Sequence, residues 1–260
     1  MACAQTITML AETLRRAYES KQVPPPSAQF SWLTIDDAYD IQMRQIDARL
    51  IGGAVIKGYK IGLTSKAMQD MLGVHEPDYG HLLDYMFLPA SAPIKASNYL
   101  QPRIEPEIAF VMGHDLAGPG VTVADAAKAV DHVVASLELI DSRVANWRIT
   151  IVDTIADNAS SAGVILGAKQ VRLADVDLAA ISCQFIIDSS IVHSGVGADV
   201  MGSPLNALVW LANTLGPRGV SFKPGDVIMP GSLTAAHDVR AGMTVKADFS
   251  SLGSLTARFV

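Results

Sequence analysis

The chain has 260 residues, half of them hydrophobic, which is enough to bury a full-sized core without an outside scaffold. A formal net charge of -6 and the lack of any basic run exclude a protein built to neutralise phosphates, so nucleic acid is not an expected partner. Cys3 and Cys183 stand far apart with no Cys-x-x-Cys spacing, which argues against a disulfide framework or a zinc ribbon and fits a reducing cytoplasm.

In chain order, the N-terminus lacks the basic start and long apolar stretch of a signal peptide, and no uncharged apolar segment reaches the ~18 residues of a membrane span. A soluble protein with no membrane partner is expected. Ile7, Leu10, Ala11, Leu14, Ala17 and Tyr18 recur at helical spacing and predict a first amphipathic helix, which Pro24, Pro25 and Pro26 stop. Thr34 is placed to cap a second helix, with Asp36 and Asp37 in the first turn where the helix dipole favours negative charge. That helix should run to about Leu50 and end at Gly52-Gly53.

Beyond Gly53, short apolar runs such as 54–56 and 108–112 alternate with turn residues and read as strands. Two helices interrupt them. One is predicted over 123–134; the other starts at Ser203-Pro204, serine capping and proline in the first turn, with Leu205, Leu208, Val209, Ala212 and Leu215 as its buried stripe. The stretch 183–194 reads as a hairpin, and the turn at 223–226 followed by alternating segments at 245–249 and 255–259 predicts a closing hairpin. The division expected is a helical region over 1–56 and a β-rich, metal-binding catalytic domain over 57–260.

The segment 103–111 (Arg-Ile-Glu-Pro-Glu-Ile-Ala-Phe-Val) carries the strongest chemical signal. A strand points residues two apart to the same side, so Glu105 and Glu107 project together. Two such carboxylates repel unless a cation lies between them; the alternative is a solvated strand face. Pro106 suggests an edge position or a bulge. Glu138 sits in an otherwise apolar run, where it is either a metal ligand or the partner of an arginine such as Arg143. Oxygen ligands alone suit Mg²⁺ or Mn²⁺ better than zinc.

Asp153, Asp157, Asn158 and Ser160 crowd ahead of an apolar run and either line a site or make turns. Lys60, flanked by apolar residues and two glycines, either meets a ligand carboxylate or snorkels at the surface. Gly195, Gly197 and Gly202 do not have dinucleotide-fingerprint spacing. The histidines form no metal pattern, which leaves His75, His81 and His237 as isolated candidates for proton transfer.

Five segments together carry a resemblance: 58–66 (Gly-Tyr-Lys-Ile-Gly-Leu-Thr-Ser-Lys), 76–80 (Glu-Pro-Asp-Tyr-Gly), 101–107 (Gln-Pro-Arg-Ile-Glu-Pro-Glu), 137–143 (Leu-Glu-Leu-Ile-Asp-Ser-Arg) and 153–160 (Asp-Thr-Ile-Ala-Asp-Asn-Ala-Ser). They resemble the 2-keto-4-pentenoate hydratase family, within the fumarylacetoacetate hydrolase superfamily, over nearly the whole chain. The resemblance implies an α+β fold, a mixed β-roll or sandwich core with a small helical N-terminal region, assembled as a homo-oligomer. It also implies a metal triad of Glu105, Glu107 and Glu138, a catalytic Lys60 and Asp78, and substrate contacts at Leu63, Ser160 and Thr234.

The activity implied is metal-dependent hydration of 2-hydroxypenta-2,4-dienoate to 4-hydroxy-2-oxopentanoate in aromatic-compound degradation, beside a pathway decarboxylase or aldolase. Rival readings are 4-oxalocrotonate decarboxylase and 2-oxohept-4-ene-1,7-dioate hydratase. Both take diacids, for which Arg148 is the candidate second cation. A binding protein for 2-oxo acids that has kept the fold without turnover is the remote alternative.

Overall fold

A computed structural model describes residues 4–19, 21–65, 69–70 and 73–260; Cys3 and Lys66, the last residue of the 58–66 segment, lie outside the described residues. The first helix, α1, spans Ala4–Ala17 and buries Ile7, Leu10, Ala11, Leu14 and Ala17. The proline run both stops that helix and starts the next, because Pro26 occupies the first turn of a short α2, Pro26–Gln29, where a missing N–H does no harm. Helix α3, Ile35–Ile51, begins with a full capping box: the Thr34 side chain accepts from the Asp37 N–H, and the Asp37 carboxylate accepts from the Thr34 N–H. Gly52 caps its C-terminus as the glycine pair predicts.

Two sheets follow. The larger contains β1 (Ile56–Gly62), β2 (Asp78–Leu83), β3 (Pro102–Met112), β4 (Val130–Asp141), β5 (Ser161–Leu166) and β8 (Val227–Met229) in the order β2-β1-β8-β3-β4-β5, with the two-residue β9 (His237–Asp238) also pairing β3. Its β1–β8 pair is parallel and its other pairs are antiparallel. The smaller sheet has β6 (Ser182–Ile187), β7 (Ser190–Val196), β10 (Thr244–Phe249) and β11 (Gly253–Arg258) in the order β11-β10-β6-β7. The hairpins expected at 183–194 and at the C-terminus are β6–β7 and β10–β11. Strands β10 and β11 contact β4, so the sheets share a core in which Ile104, Leu137, Phe185 and Val245 are all buried. This is the mixed α+β architecture that the sequence implies.

Four local expectations need correction. The helix predicted over 123–134 ends at Ala129: α4 is Val123–Ala129, and the chain passes directly into β4 at Val130. Val130, Val133 and Val134 are β-branched, and eleven residue pairs with β3 outweigh the helical spacing that continues past Ala129. The strand sought at 54–56 begins only at Ile56 and runs through the glycine-flanked Lys60 segment. Pro106 is at neither an edge nor a bulge. It faces Leu137 in unbroken register, and on its other side its carbonyl accepts from Leu233 N–H at 3.1 Å in the gap between β8 and β9. Helix α6, Pro204–Leu215, has no side-chain cap bond from Ser203, and Val209 is only half-buried, with Ala207 and Leu211 completing the buried stripe.

Candidate metal centre and active-site cavity

In the antiparallel ladder Glu105 stands directly opposite Glu138, and Glu107 projects to the same side two residues along β3. One carboxylate oxygen from each of the three lies within 4.8 Å of the others. Glu107 and Glu138 are fully buried and Glu105 is half-buried. Burial raises all three from the ordinary carboxylate range, and repulsion adds to it for two: burial, then Glu138, pushes Glu105 up to about 7, while Glu107 is displaced well above its usual value by burial and both other glutamates. Burial also raises Glu138, with Lys60 pulling it back.

These carboxylates have little else to bind. Glu107 accepts one backbone bond, from Gly231 N–H at 2.9 Å, while its other oxygen and both oxygens of Glu138 have no hydrogen-bond partner. Orphaned buried carboxylate oxygens are costly, and three that converge from oxygen-only donors fit a hard divalent cation. Gly231 has φ +118°, and a Cβ there would fall 2.1 Å from Thr64 Oγ1, so glycine is what allows the loop to bring its amide to Glu107.

The half-buried Glu105 opens onto a cavity of about 800 Å³, whose walls include Lys60, Leu63, Asp78, Ser160 and Thr234. Every site residue that the resemblance implies therefore lies either in the carboxylate cluster or on this wall. Lys60, 4% exposed on β1, donates to the Ala159 carbonyl at 3.1 Å and approaches Glu138 Oε2 at 3.4 Å without hydrogen-bond alignment. Burial alone would lower its pKa, but Glu138 and Asp78 beside it outweigh that and hold the ammonium charged.

Asp78, at the start of β2, is 1% exposed and its Oδ1 has no partner. Burial raises its pKa, with the Lys60 ammonium and the Thr154 hydroxyl pulling it back. Gly62 lies opposite it on β1, and a Cβ at Gly62 would fall 2.2 Å from Asp78 Oδ1, so a larger residue would displace the carboxylate. Leu63 leaves β1 with a positive φ of 57° and turns the chain along the cavity. Ser160 Oγ is buried without a partner, and Thr234 is half-buried at the opening.

Other candidates do not reach the cavity. Arg143 pairs with Asp157, so the arginine partner that the sequence offered for Glu138 is taken, and the cation beside Glu138 is Lys60. Asp157 is thus committed to an ion pair, and Asp153 closes the capping box of α5 (Ile151–Ala156) while accepting from the Ser27 N–H at 2.8 Å and its hydroxyl at 2.6 Å. Asn158 bonds the backbone N–H and C=O of His81. His81 is itself buried against Gln42, and burial lowers its pKa to about 4, so it is a neutral packing residue. His75 and Arg148 are exposed and His237 is half-buried; none lines the cavity.

Sequence reasoning missed Arg103, Trp147 and Thr154 on the cavity wall. The same two-residue period that pairs Glu105 with Glu107 places Arg103 on their side, so that signal was present. Its guanidinium stacks 4.4 Å over the Trp147 ring and donates through Nε to Asp238 at 2.7 Å.

Fold and site together define a β-rich, carboxylate-cornered metalloenzyme scaffold, and comparison with known proteins is consistent with it. The fumarylacetoacetate (FAA) hydrolase C-terminal family model matches residues 67–260, and the chain belongs to that family. It is 40% identical to the 2-oxo-hept-4-ene-1,7-dioate hydratase of Escherichia coli over 98% of both chains. It is 42% identical to a 2-hydroxypent-2,4-dienoate hydratase of Pseudomonas putida, over 83% of this chain and 98% of the relative. The solved 4-oxalocrotonate decarboxylase of Pseudomonas putida G7, complexed with magnesium and adipate, superimposes with a TM-score of 0.95 at 35% identity over 100% of this chain and 99% of that one.

Proposed function

We propose that the protein is a divalent-metal-dependent hydro-lyase that converts 2-hydroxypenta-2,4-dienoate into 4-hydroxy-2-oxopentanoate. The observation that carries this reading is the convergence of Glu105, Glu107 and Glu138 beside a cavity walled by a charged, buried Lys60 and a partly unpartnered Asp78. The relative at 42% identity, named for the five-carbon dienoate, supports it, and the one at 40%, named for a diacid, supports the hydration chemistry.

The three glutamates would hold Mg²⁺ or Mn²⁺, which when bound supplies Lewis acidity toward the carboxylate and 2-oxo oxygens of the substrate. The remaining chemistry belongs to the side chains. Acidic groups around Lys60 hold it as an ammonium that can face the substrate carboxylate; in this reading it passes a proton to C5 of the dienol and takes up the 2-hydroxyl proton in return as the ketone forms. Asp78, with one oxygen free, accepts a proton from the water that adds at C4 of the conjugated ketone and returns it to C3. Ser160 Oγ and Thr234 orient the substrate from the wall, and the chain at Leu63 approaches it through its backbone. In this reading residues 1–56 buttress a catalytic body over 57–260, and the enzyme is a cytoplasmic homo-oligomer that works beside a pathway decarboxylase or aldolase.

A second reading has one specific observation in its favour. Diacid substrates need a second cation, and Arg103, in place of Arg148, lines the cavity. That suits 4-oxalocrotonate decarboxylation or hydration of 2-oxohept-4-ene-1,7-dioate. An assay with Mg²⁺ that offers the five-carbon dienoate and the two diacids separately, with products identified by mass, decides among them. Formation of 4-hydroxy-2-oxopentanoate as the fastest reaction supports the proposal, while CO₂ release from 4-oxalocrotonate without hydration of the dienoate would overturn it.

A further inference from the structure

Asn158, Ala159 and Ser160 hold left-handed backbone in succession, with φ of 53°, 49° and 57°. L residues avoid this region, so a run of three persists only where the surroundings impose it. The run has consequences at the site. It ties to β2 through Asn158 and His81, turns the Ala159 carbonyl onto Lys60 Nζ at 3.1 Å, and places the Ser160 hydroxyl on the cavity wall.

One guanidinium grips both ends of it. Arg143 Nη2 donates to the carbonyl of Asp157 at 2.6 Å and Nη1 to the carbonyl of Ser161 at 3.3 Å, the residues immediately before and after the triplet. Its Nε donates to Asp157 Oδ1 at 2.5 Å, and its backbone N–H to Asp157 Oδ2 at 2.9 Å. The guanidinium carbon itself lies over the Tyr18 ring, 4.1 Å from its centroid, and Arg143 is 1% exposed. A planar fork with fixed donor directions can bridge two carbonyls and a carboxylate together; an ammonium on a flexible stem cannot.

We propose that Arg143 is a positioning residue for Lys60: by clamping both ends of the left-handed triplet it fixes the Ala159 carbonyl that orients the ammonium. The inference rests on the hydratase reading, in which Lys60 transfers a proton. Arg143 does not line the cavity and has no contact with the three glutamates, so it acts on the reaction only through the triplet. An ordinary buried ion pair would affect stability, with no reason to separate turnover from metal affinity.

The test uses full-length wild-type, Arg143→Lys and Asp157→Asn proteins, each checked for native circular dichroism. It compares kcat and KM for 2-hydroxypenta-2,4-dienoate with Mn²⁺ affinity measured by electron paramagnetic resonance. Arg143→Lys should lower kcat about a hundredfold, the size of effect that misplacing a catalytic group by an ångström produces, with KM and Mn²⁺ affinity within about threefold of wild type. Asp157→Asn retains the bridging carbonyl but sets an amide against the Arg143 N–H, and should lower kcat at least about fivefold in the same pattern. A folded Arg143→Lys with kcat within threefold of wild type would overturn the proposal, as would Mn²⁺ affinity falling in parallel with kcat. Should Arg143→Lys not fold, Asp157→Asn decides alone, and unchanged turnover overturns the proposal. A wild-type protein inert toward the dienoate removes the functional reading, and this inference with it.

Discussion

Glu105 and Glu138 face each other directly across the β3–β4 ladder, with Glu107 completing a carboxylate triangle from the same face of β3. Like charges directly opposite destabilise a sheet, so in the absence of a cation this pairing works against the fold. Replacing Glu105 by Gln should therefore leave the metal-free protein as stable as wild type or more so, while lowering Mn²⁺ affinity at least about a hundredfold. Thermal unfolding with and without Mn²⁺ reads both effects; a variant that binds Mn²⁺ like wild type would remove Glu105 from the ligand set.

Lys60 Nζ lies 3.4 Å from Glu138, so its charge opposes that of any bound cation. Lys60→Met is expected to bind Mn²⁺ at least as tightly as wild type while kcat falls by about two to four orders of magnitude, the span usual for a lost proton-transfer group. Loss of Mn²⁺ binding in this variant would instead make Lys60 a structural prop of the cluster.

The raised carboxylates give metal binding a definite pH dependence. With Glu105 raised to about 7 and Glu107 held well above the ordinary carboxylate range by burial and its neighbouring glutamates in the metal-free protein, protons compete with the ion for the same oxygens. Affinity should weaken as pH falls through about 7, and binding at pH 6.5 should release protons. Calorimetry in two buffers of different ionisation enthalpy measures the release, and identical heats in both would contradict it.

His81 makes a separate acid-stability prediction. Its folded pKa, near 4, lies below the unfolded value of 6.5, so the unfolded chain binds the proton more readily. The stability it contributes is intact at pH 7 and is lost progressively as pH falls from 6.5 toward 4. Between pH 7 and pH 5 the loss should be about 2 kcal/mol. Denaturant melts at the two pH values should show this difference shrinking in His81→Gln; an equal loss in both proteins would rule it out.

Gly231→Ala tests the loop that brings an amide to Glu107. A Cβ at φ +118° and 2.1 Å from Thr64 Oγ1 must displace the loop, at a cost of roughly 2 kcal/mol or more, and should weaken Mn²⁺ binding as well. A Tm and an Mn²⁺ affinity matching wild type would show that the contact is not needed.

The elements that could be read from the sequence were those fixed by local chemistry. The Thr34–Asp37 capping box, the glycine pair after α3 and the two-residue period of Glu105 and Glu107 are written into adjacent residues. What the sequence concealed depends on contacts between distant segments. Helical spacing runs on past Ala129, and only pairing with β3 turns the following valines into a strand. Sequence reasoning offered Glu138 an arginine or a metal ion, and the arginine is removed by Asp157, which pairs with Arg143 ahead of the left-handed turn. The roles of Lys60, Asp78, Leu63, Ser160 and Thr234 came from resemblance; residue spacing alone would not have gathered them around one cavity.

The central claim is that turnover depends on a divalent ion at the glutamate triad. Its most direct test is to strip the protein with a chelator, restore Mg²⁺ in measured amounts, and follow loss of 2-hydroxypenta-2,4-dienoate by its ultraviolet absorbance. The expected result is no turnover without metal and full recovery at one bound ion per chain, with Glu105→Gln recovering little at the same Mg²⁺ concentration. Hydration that continues undiminished in the stripped protein, or that Glu105→Gln restores as readily as wild type, would contradict it.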